Sequence, residues 1–285
     1  MFADKASGTR RGSVRGDLLI GADGIHSTVR ARLYPGEGPP SFSGIMMWRG
    51  IVESEPFLDG RTMIIAGNWN QEAVVYPVSH EAAQRGRSLI NWVAVLRIGG
   101  EQPRREDWSR QGRIEDFLPR FAKWKFGFIN LPALFRMTER ILEYPMVDRD
   151  PLDRWSFGRV TLLGDAAHPM YPNGSNGAAQ AILDAEALAA ALHEGGDVAA
   201  ALARYEAVRR PATAAVVLSN RQFGPERVLQ VVDERIRGPE DDIASVITRD
   251  ELEDITRRYS RIAGFDVETL NRKSGQGHQH REAAA

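Results

Sequence analysis

The chain contains no cysteine, which excludes disulfides, thiolate nucleophiles and cysteine-based metal or iron–sulfur sites. No apolar run reaches the roughly 20 residues that a membrane-spanning helix needs, and the N-terminus has no apolar signal core. The net charge of −1 gives no broad electrostatic reason to bind nucleic acid or an anionic membrane. Lysine stands only at Lys5, Lys123, Lys125 and Lys273 among many arginines; no function follows from that bias. A G-x-G-x-x-G turn is also missing. The G-x-G runs are Gly36-Glu37-Gly38 and Gly275-Gln276-Gly277, and neither continues to a third glycine or stands between a strand and a helix. What remains is the composition of an ordinary globular protein, expected to be cytoplasmic: 285 residues, 42% apolar and 26% charged, enough for one large core or two moderate ones.

The most informative stretch present is Gly158–Ala185, GRVTLLGDAAHPMYPNGSNGAAQAILDA. It reads as a buried strand (Arg159–Leu163), a turn carrying an acid (Gly164-Asp165), a Pro- and Gly-punctuated loop (Pro169–Gly177) and a helix that opens in small residues. Such an order aims a carboxylate and a helix N-terminus into the crevice beyond the carboxyl end of a strand, where open α/β sheets bind nucleotides. Gly164 permits a close turn past a ligand, and Asp165 offers two acceptor oxygens suited to a pair of sugar or ribityl hydroxyls. Gly174 and Gly177 leave the amides of Ser175, Asn176, Gly177 and Ala178 bare at a helix start. Taken alone, the stretch also fits an ordinary strand–turn–helix with a capping Asp.

A second stretch, Asp17–Arg30 (DLLIGADGIHSTVR), is another apolar strand ending in an Asp-Gly turn and entering a short helix. Together DLLIGADGIHSTVR and GRVTLLGDAAHP resemble the two internal flavin fingerprints of the FAD-dependent aromatic hydroxylases, the single-component monooxygenases built like para-hydroxybenzoate hydroxylase. The loop Pro172-Asn173-Gly174-Ser175-Asn176-Gly177, with AAQAILDAEAL after it and Arg204–Leu229 further on, is similar to the branch containing the phenazine-carboxylate monooxygenases; the family's common loop has Gly-Gln-Gly after the proline. The resemblance implies FAD as cofactor, NAD(P)H as co-substrate, and a small aromatic substrate hydroxylated with O₂. It assigns Asp23, Gly24, Ser27 and Arg30 to the first fingerprint, near the dinucleotide. To the second it assigns Gly164, Asp165, Pro169, Pro172, Gly174, Ser175, Asn176 and Gly177, with Asp165 on the ribityl chain and the amides at Asn176 and Gly177 at the pyrimidine edge of the ring. No catalytic base is identifiable; His168 reads more readily as a structural residue at a helix entry, and no metal site is expected.

The fold class implied is mixed α/β. A partial Rossmann-like FAD-binding domain (1–40 and 140–210) would carry an inserted antiparallel-sheet substrate domain (41–139), followed by C-terminal helices (211–271) and a disordered tail (272–285). Because the opening strand, glycine turn and helix of the family are not in the sequence, the resemblance implies an N-terminally truncated or split form. Met1–Lys5 and the polar turn Ala6–Gly16 then read as a hairpin leading into DLLIGADG. A homo-oligomer or a complementing N-terminal half is left open as partner. The alternative is a non-catalytic remnant, or a partner subunit that does not bind FAD alone.

Ser41–Val52, Thr62–Trp69, Ala73–Val78 and Leu89–Ile98 are short apolar or alternating runs separated by turn residues, which predicts an antiparallel sheet with one covered face. In the resembled family this sheet roofs the substrate pocket, making Trp48, Arg49, Trp69, Tyr76 and Trp92 candidates to line a flat aromatic substrate, with Arg49 facing a carboxylate; alternatively the aromatics are core and Arg49 is a solvated edge residue. Arg113–Phe126 has the spacing of an amphipathic helix. Ile141–Val147 reads as a strand that Pro145 confines to an edge or bend. Ala178–His193 is predicted helical and closed by Gly195-Gly196, Asp197 is placed to cap the next helix, and Pro211 to bend or restart it. Phe223–Val232 and Asp250–Ala263 are further amphipathic segments. His278 and His280 carry no function beyond a weak capacity to touch a metal.

Overall fold

Two short strands, β1 (Phe2–Ala3) and β2 (Arg10–Gly12), pair antiparallel as the hairpin reading expects. The structure, a computed structural model, describes residues 2–3, 10–102, 106–238, 240–267 and 271; the predicted tail with His278 and His280 lies outside the described residues. The chain continues through β3 (Leu19–Gly21), α1 (Thr28–Leu33), β4 (Ser41–Ser54), β5 (Ile64–Asn68), β6 (Gln71–Pro77), α2 (His80–Gln84) and β7 (Ser88–Arg97). After these come α3 (Leu118–Phe121), β8 (Lys125–Phe126), β9 (Ile129–Asn130), α4 (Leu131–Arg136), β10 (Ile141–Asp148) and β11 (Val160–Leu162). The last elements are helices: α5 (Gly177–His193), α6 (Val198–Arg221), α7 (Arg227–Arg235), α8 (Ile243–Val246) and α9 (Arg249–Ala263). No helix among the described residues is long and apolar enough to cross a membrane.

The chain divides into two units, one of residues 1–40, 148–222 and 258–285, the other of residues 41–147 and 223–257. In the first, β11 and β3 lie parallel, with Val160 beside Leu19 and Leu162 beside Gly21. Parallel strands need a long crossover, and here the intervening chain includes the whole five-stranded sheet of the other unit. Leu162, Ala166, Ala167, Trp155, Leu188, Leu202 and Tyr205 form the core behind this pair. Gly21 packs so closely that a Cβ there would come within 2.8 Å of the Val29 side chain and 2.9 Å of Leu162. Glycine is therefore required at this point of the fingerprint by packing rather than by dihedral angle.

In the second unit the sheet order is β10-β4-β7-β6-β5, with antiparallel ladders from β4 to β7, β7 to β6 and β6 to β5. The four predicted strands are all present, and β10 takes an edge, where Pro145 withholds no interior ladder bond. Alternation along β4, β7 and β6 sends Trp48, Trp92, Ala94, Ala73 and Val75 to one face, which packs on Phe117, Phe121, Leu131 and Phe135. Trp92 is fully buried and donates its indole N–H to Thr138 Oγ1 at 2.8 Å. Burying an aromatic of this size contributes about 2–3 kcal/mol once its polar atom is paired.

Two local expectations are corrected. The helix read over 113–126 is instead a 3-10 turn (Ile114–Asp116), the single-turn α3 and the start of β8. Its apolar spacing does bury Phe117 and Phe121, but Pro119 in the first turn of α3 and the ring contacts around Phe117 favour short segments over a continuous helix. α6 runs unbroken through Pro211 rather than restarting there; buried Arg209, Thr213 and Val216 on either side hold its turns in place, and only one intrahelical N–H is lost. The caps follow the expected chemistry, Asp197 accepting from the Ala199 amide and Gly195 and Gly196 ending α5 with φ of 78° and 90°.

Candidate functional site

The two fingerprints come together through their strands. β3 and β11 end side by side, and the Leu163 amide donates to Gly21 O at 2.9 Å, so both acid-bearing turns leave the same end of the parallel pair. Arg30 ties them. It is 1% exposed, and its Nη1 donates to the carbonyls of Ala166 (3.1 Å) and Ala167 (2.8 Å), while Glu37 pairs with its other face. Asp23 is turned onto its own helix: its carboxylate accepts from Ser27 Oγ at 2.5 Å and from the Thr28 and Val29 amides at 2.6 and 3.4 Å. Partial burial pushes this carboxyl up, but those hydrogen bonds outweigh it and hold it below the usual value. Ser27 in turn caps α1 through the Arg30 amide, and Gly24 has a φ of 79° that the turn demands.

In the second fingerprint Gly164 adopts φ 61° and starts the 3-10 turn that carries Asp165 outward. Asp165 is exposed, whereas Ala166, Ala167, His168 and Pro169 behind it are buried. A Cβ on Gly177 would point at Asp165 Oδ1 from 3.9 Å, so the carboxylate and the start of α5 face one space. Pro172 and Ser175 are exposed, Gly174 is half-buried at φ 70°, and Ser175 is held left-handed at φ 54°. The 17-residue α5 has no side-chain N-cap and no acid in its first turn. An uncapped helix start beside an exposed carboxylate suits a ligand that offers hydroxyls to one and an electron-rich edge to the other; the residues present fit a flavin nucleotide.

His168 does not face that space. It is 2% exposed, its Nε2 sits 2.5 Å from Asp184 Oδ2, and its ring packs on Trp155. Asp184 also accepts from Arg209 Nε (2.7 Å) and the Gly164 amide (3.0 Å). Burial alone would raise this carboxyl; the hydrogen bonds and charge of His168 and Arg209 bring it below its ordinary value. Sequence reading passed over Asp184 and Gln180, yet both are polar residues at i, i+4 on the inward side of α5, a sign of a buried network.

In the sheet unit, Trp48 and Trp92 belong to the core face. Trp69 holds Arg97 over its ring at 3.6 Å and packs on Phe223. Arg49 and Tyr76 lie on the opposite face, where Arg49 Nε donates to Asn91 Oδ1 at 2.7 Å and Arg49 also hydrogen-bonds Tyr144. A cavity of about 590 Å³ opens there, lined by Arg49, Gly50, Ile51, Trp108, Arg140, Leu142 and Tyr144. Trp108 and Tyr144 stand edge to face, 5.3 Å between centroids. Neither Arg49 nor Arg140 has an ion-pair partner among the described residues. Two guanidiniums without an ion-pair partner beside flat aromatic walls have the chemistry to suit a planar anion. Spacing along the chain does not mark Trp108, Arg140 and Tyr144, because they come beside Arg49 only where β10 lies next to β4 and Gln111 bridges to Leu142 on the outer side of β10.

The family profile described as "FAD binding domain" matches residues 2–220. The phenazine 1,6-dicarboxylic acid hydroxylase PhzS of Lysobacter antibioticus is 50% identical over 220 residues, 76% of this chain and 54% of the relative. 3-Hydroxybenzoate 6-hydroxylase 1 of Aquipseudomonas alcaligenes is 32% identical over 206 residues, 71% of this chain and 49% of the relative. The chain thus spans about half the length of these curated relatives. Among solved structures, Klebsiella pneumoniae HpxO complexed with FAD and uric acid superposes with a TM-score of 0.63 at 21% identity, covering 89% of this chain and 60% of that one, which shows a shared fold.

Proposed function

The chain belongs to the FAD-binding family of aromatic hydroxylases, and from that premise we propose that it forms the flavin-contacting and substrate-binding part of a monooxygenase that hydroxylates a planar aromatic acid. When bound, FAD supplies the redox chemistry, taking a hydride from NAD(P)H and delivering one oxygen atom of O₂ to the ring. The protein's part is to bind, orient and exclude water. Asp165 would hold the ribityl hydroxyls. The amides opening α5 would steady negative charge at the pyrimidine edge of the ring, an electrostatic contribution that costs no reorganisation.

The observation that carries the substrate class is the pair of unneutralised arginines, Arg49 and Arg140, in one cavity with Trp108 and Tyr144. They would grip a carboxylate while the aromatic side chains cover the ring faces. The 50% identity to a hydroxylase named for a phenazine dicarboxylic acid supports the same class. His168 is no base in this reading, since Asp184 holds its Nε2.

A second reading, that FAD uptake needs a complementing polypeptide, is favoured by β3. Leu19 and Ile20 are 51% and 41% exposed on a strand whose apolar sequence is that of a covered one. One experiment separates the two: titration of the purified chain with FAD, followed by NADH and NADPH oxidation with phenazine and hydroxybenzoate carboxylates. Saturable FAD binding with substrate-stimulated oxidation supports the first reading; no uptake by the isolated chain supports the second.

A further inference from the structure

Two neutral groups hold Arg49. Its Nε donates to Asn91 Oδ1 at 2.7 Å, and it also hydrogen-bonds Tyr144, whose phenol burial pushes above its ordinary value against the opposing charge of Arg49. The register explains the first contact. Asn91 stands opposite Ile51 and Tyr76 in the two ladders that flank β7, which puts Arg49, two residues before Ile51, on its diagonal. Glu53, the acid on the same face of β4, pairs instead with Arg85 and Arg87 at 3.2 and 3.5 Å. Among the described residues no acid lines the cavity. On grounds of stability Asn91 is the weaker choice of partner. It is 0% exposed, and its Nδ2 has no hydrogen-bond partner among the described residues, a donor whose burial costs stability. An aspartate has the same shape, accepts the same bond from Nε, carries no orphaned N–H and gives Arg49 a counter-charge. Local rules are broken in this way chiefly at functional sites, and the two residues differ here by one negative charge.

We propose that Asn91 sets the charge selectivity of the cavity: it fixes Arg49 through a neutral oxygen and so leaves the guanidinium charge for an anionic ligand. An aspartate at this position would hold the side chain equally well and cancel its charge. The inference rests on the planar-acid reading above, and it adds the residue that decides between an acid and its neutral analogue. Asn91 is a positioning residue. It acts through Arg49 and touches no ligand itself.

The test is calorimetric titration of the full chain, wild type and Asn91→Asp, with phenazine-1-carboxylate and phenazine-1-carboxamide. It needs no turnover. Wild type is expected to bind the carboxylate about tenfold more tightly than the carboxamide, the scale of one charge-assisted contact. In Asn91→Asp the carboxylate should lose about tenfold while the carboxamide stays within about threefold of wild type. A purely structural role predicts no change, because the isosteric acid keeps the bond to Nε. A preserved preference for the carboxylate therefore overturns the proposal, as does an equal loss of both ligands. Wild type that binds the two alike, or binds neither, overturns the planar-acid reading and the proposal with it. If Asn91→Asp does not fold, Asn91→Leu serves, since it removes the acceptor and leaves the charge. The carboxylate should then lose about fivefold, the scale of one neutral hydrogen bond, with the carboxamide within about twofold of wild type. Loss by both ligands or by neither refutes the role of Asn91.

Discussion

His168 Nε2 and Asp184 Oδ2 stand 2.5 Å apart with both side chains sealed from solvent, and Arg209 occupies the other carboxylate oxygen at 2.7 Å. The cluster joins the second fingerprint to α5 and α6. It is the structural reason that the histidine after the fingerprint belongs to the scaffold.

Asp184→Asn is accordingly expected to destabilise the chain by about 3 kcal/mol, because it leaves the Arg209 guanidinium buried without its counter-charge. Denaturant unfolding checks this. The sign of the pH dependence follows from a folded value below the unfolded one. The stabilisation is present above the unfolded value of 3.8 and is lost as pH falls through the lower folded value. Wild type should therefore lose its advantage over the variant in strong acid, and an advantage that persists undiminished there refutes the assignment.

Asp165 is exposed and its carboxylate faces the start of α5. Asp165→Ala should leave the melting temperature within about 2 °C of wild type, as surface changes usually do. FAD affinity should fall roughly 10- to 100-fold, the scale of hydrogen bonds to a charged acceptor. Equal affinity in the two proteins, measured by flavin fluorescence, would remove Asp165 from the cofactor site.

Arg49→Gln and Arg140→Gln should each raise KM for an aromatic carboxylate about tenfold or more with FAD affinity unaltered, since each removes a charge-assisted contact to substrate. The uncharged carboxamide analogue should discriminate little between wild type and variants. Steady-state kinetics with an active holoenzyme decide it; a change in FAD affinity with no change in KM would move the arginines out of the substrate site.

Glu72 on β6 has its carboxyl pushed up to about 8, chiefly by burial and further by the nearby charge of Glu226. A folded value above the unfolded 4.5 means that the native state holds this proton more tightly. Stability is then greatest below the unfolded value and declines as pH rises from about 4.5 to about 8. Glu72→Gln, which cannot ionise, should be more stable than wild type at pH 8 by a few kcal/mol, about 4 at most, with the gap closing toward pH 4.5. Thermal melts across that range test it, and a gap independent of pH would sink the idea.

Much of the fold was legible in the chain. Alternation over 41–98 marked four strands that are present within two or three residues of their expected ends, because a half-buried strand writes its period directly into its side chains. The Gly-Gly end of α5 and the Asp197 cap were legible for the same reason: caps are local chemistry. The two fingerprints could be matched to a family because turn glycines, acid and strand lie within a few residues of one another. The period of 113–126 was read correctly as apolar spacing and wrongly as one helix, since aromatic packing and Pro119 divided it.

By itself, then, the sequence determined the strands, the caps and the fingerprint turns, all of which depend on neighbours along the chain. Tertiary structure alone decided that Trp48 faces the core while Arg49, one residue later, meets Arg140, Trp108 and Tyr144 at a cavity. It alone decided that the buried Asn176 carboxamide donates to Tyr259, 83 residues away. The physical reason is the same in both cases: a side chain takes the partner that best satisfies its polar atoms after burial, and that partner is chosen by proximity in space, which no spacing along the chain records.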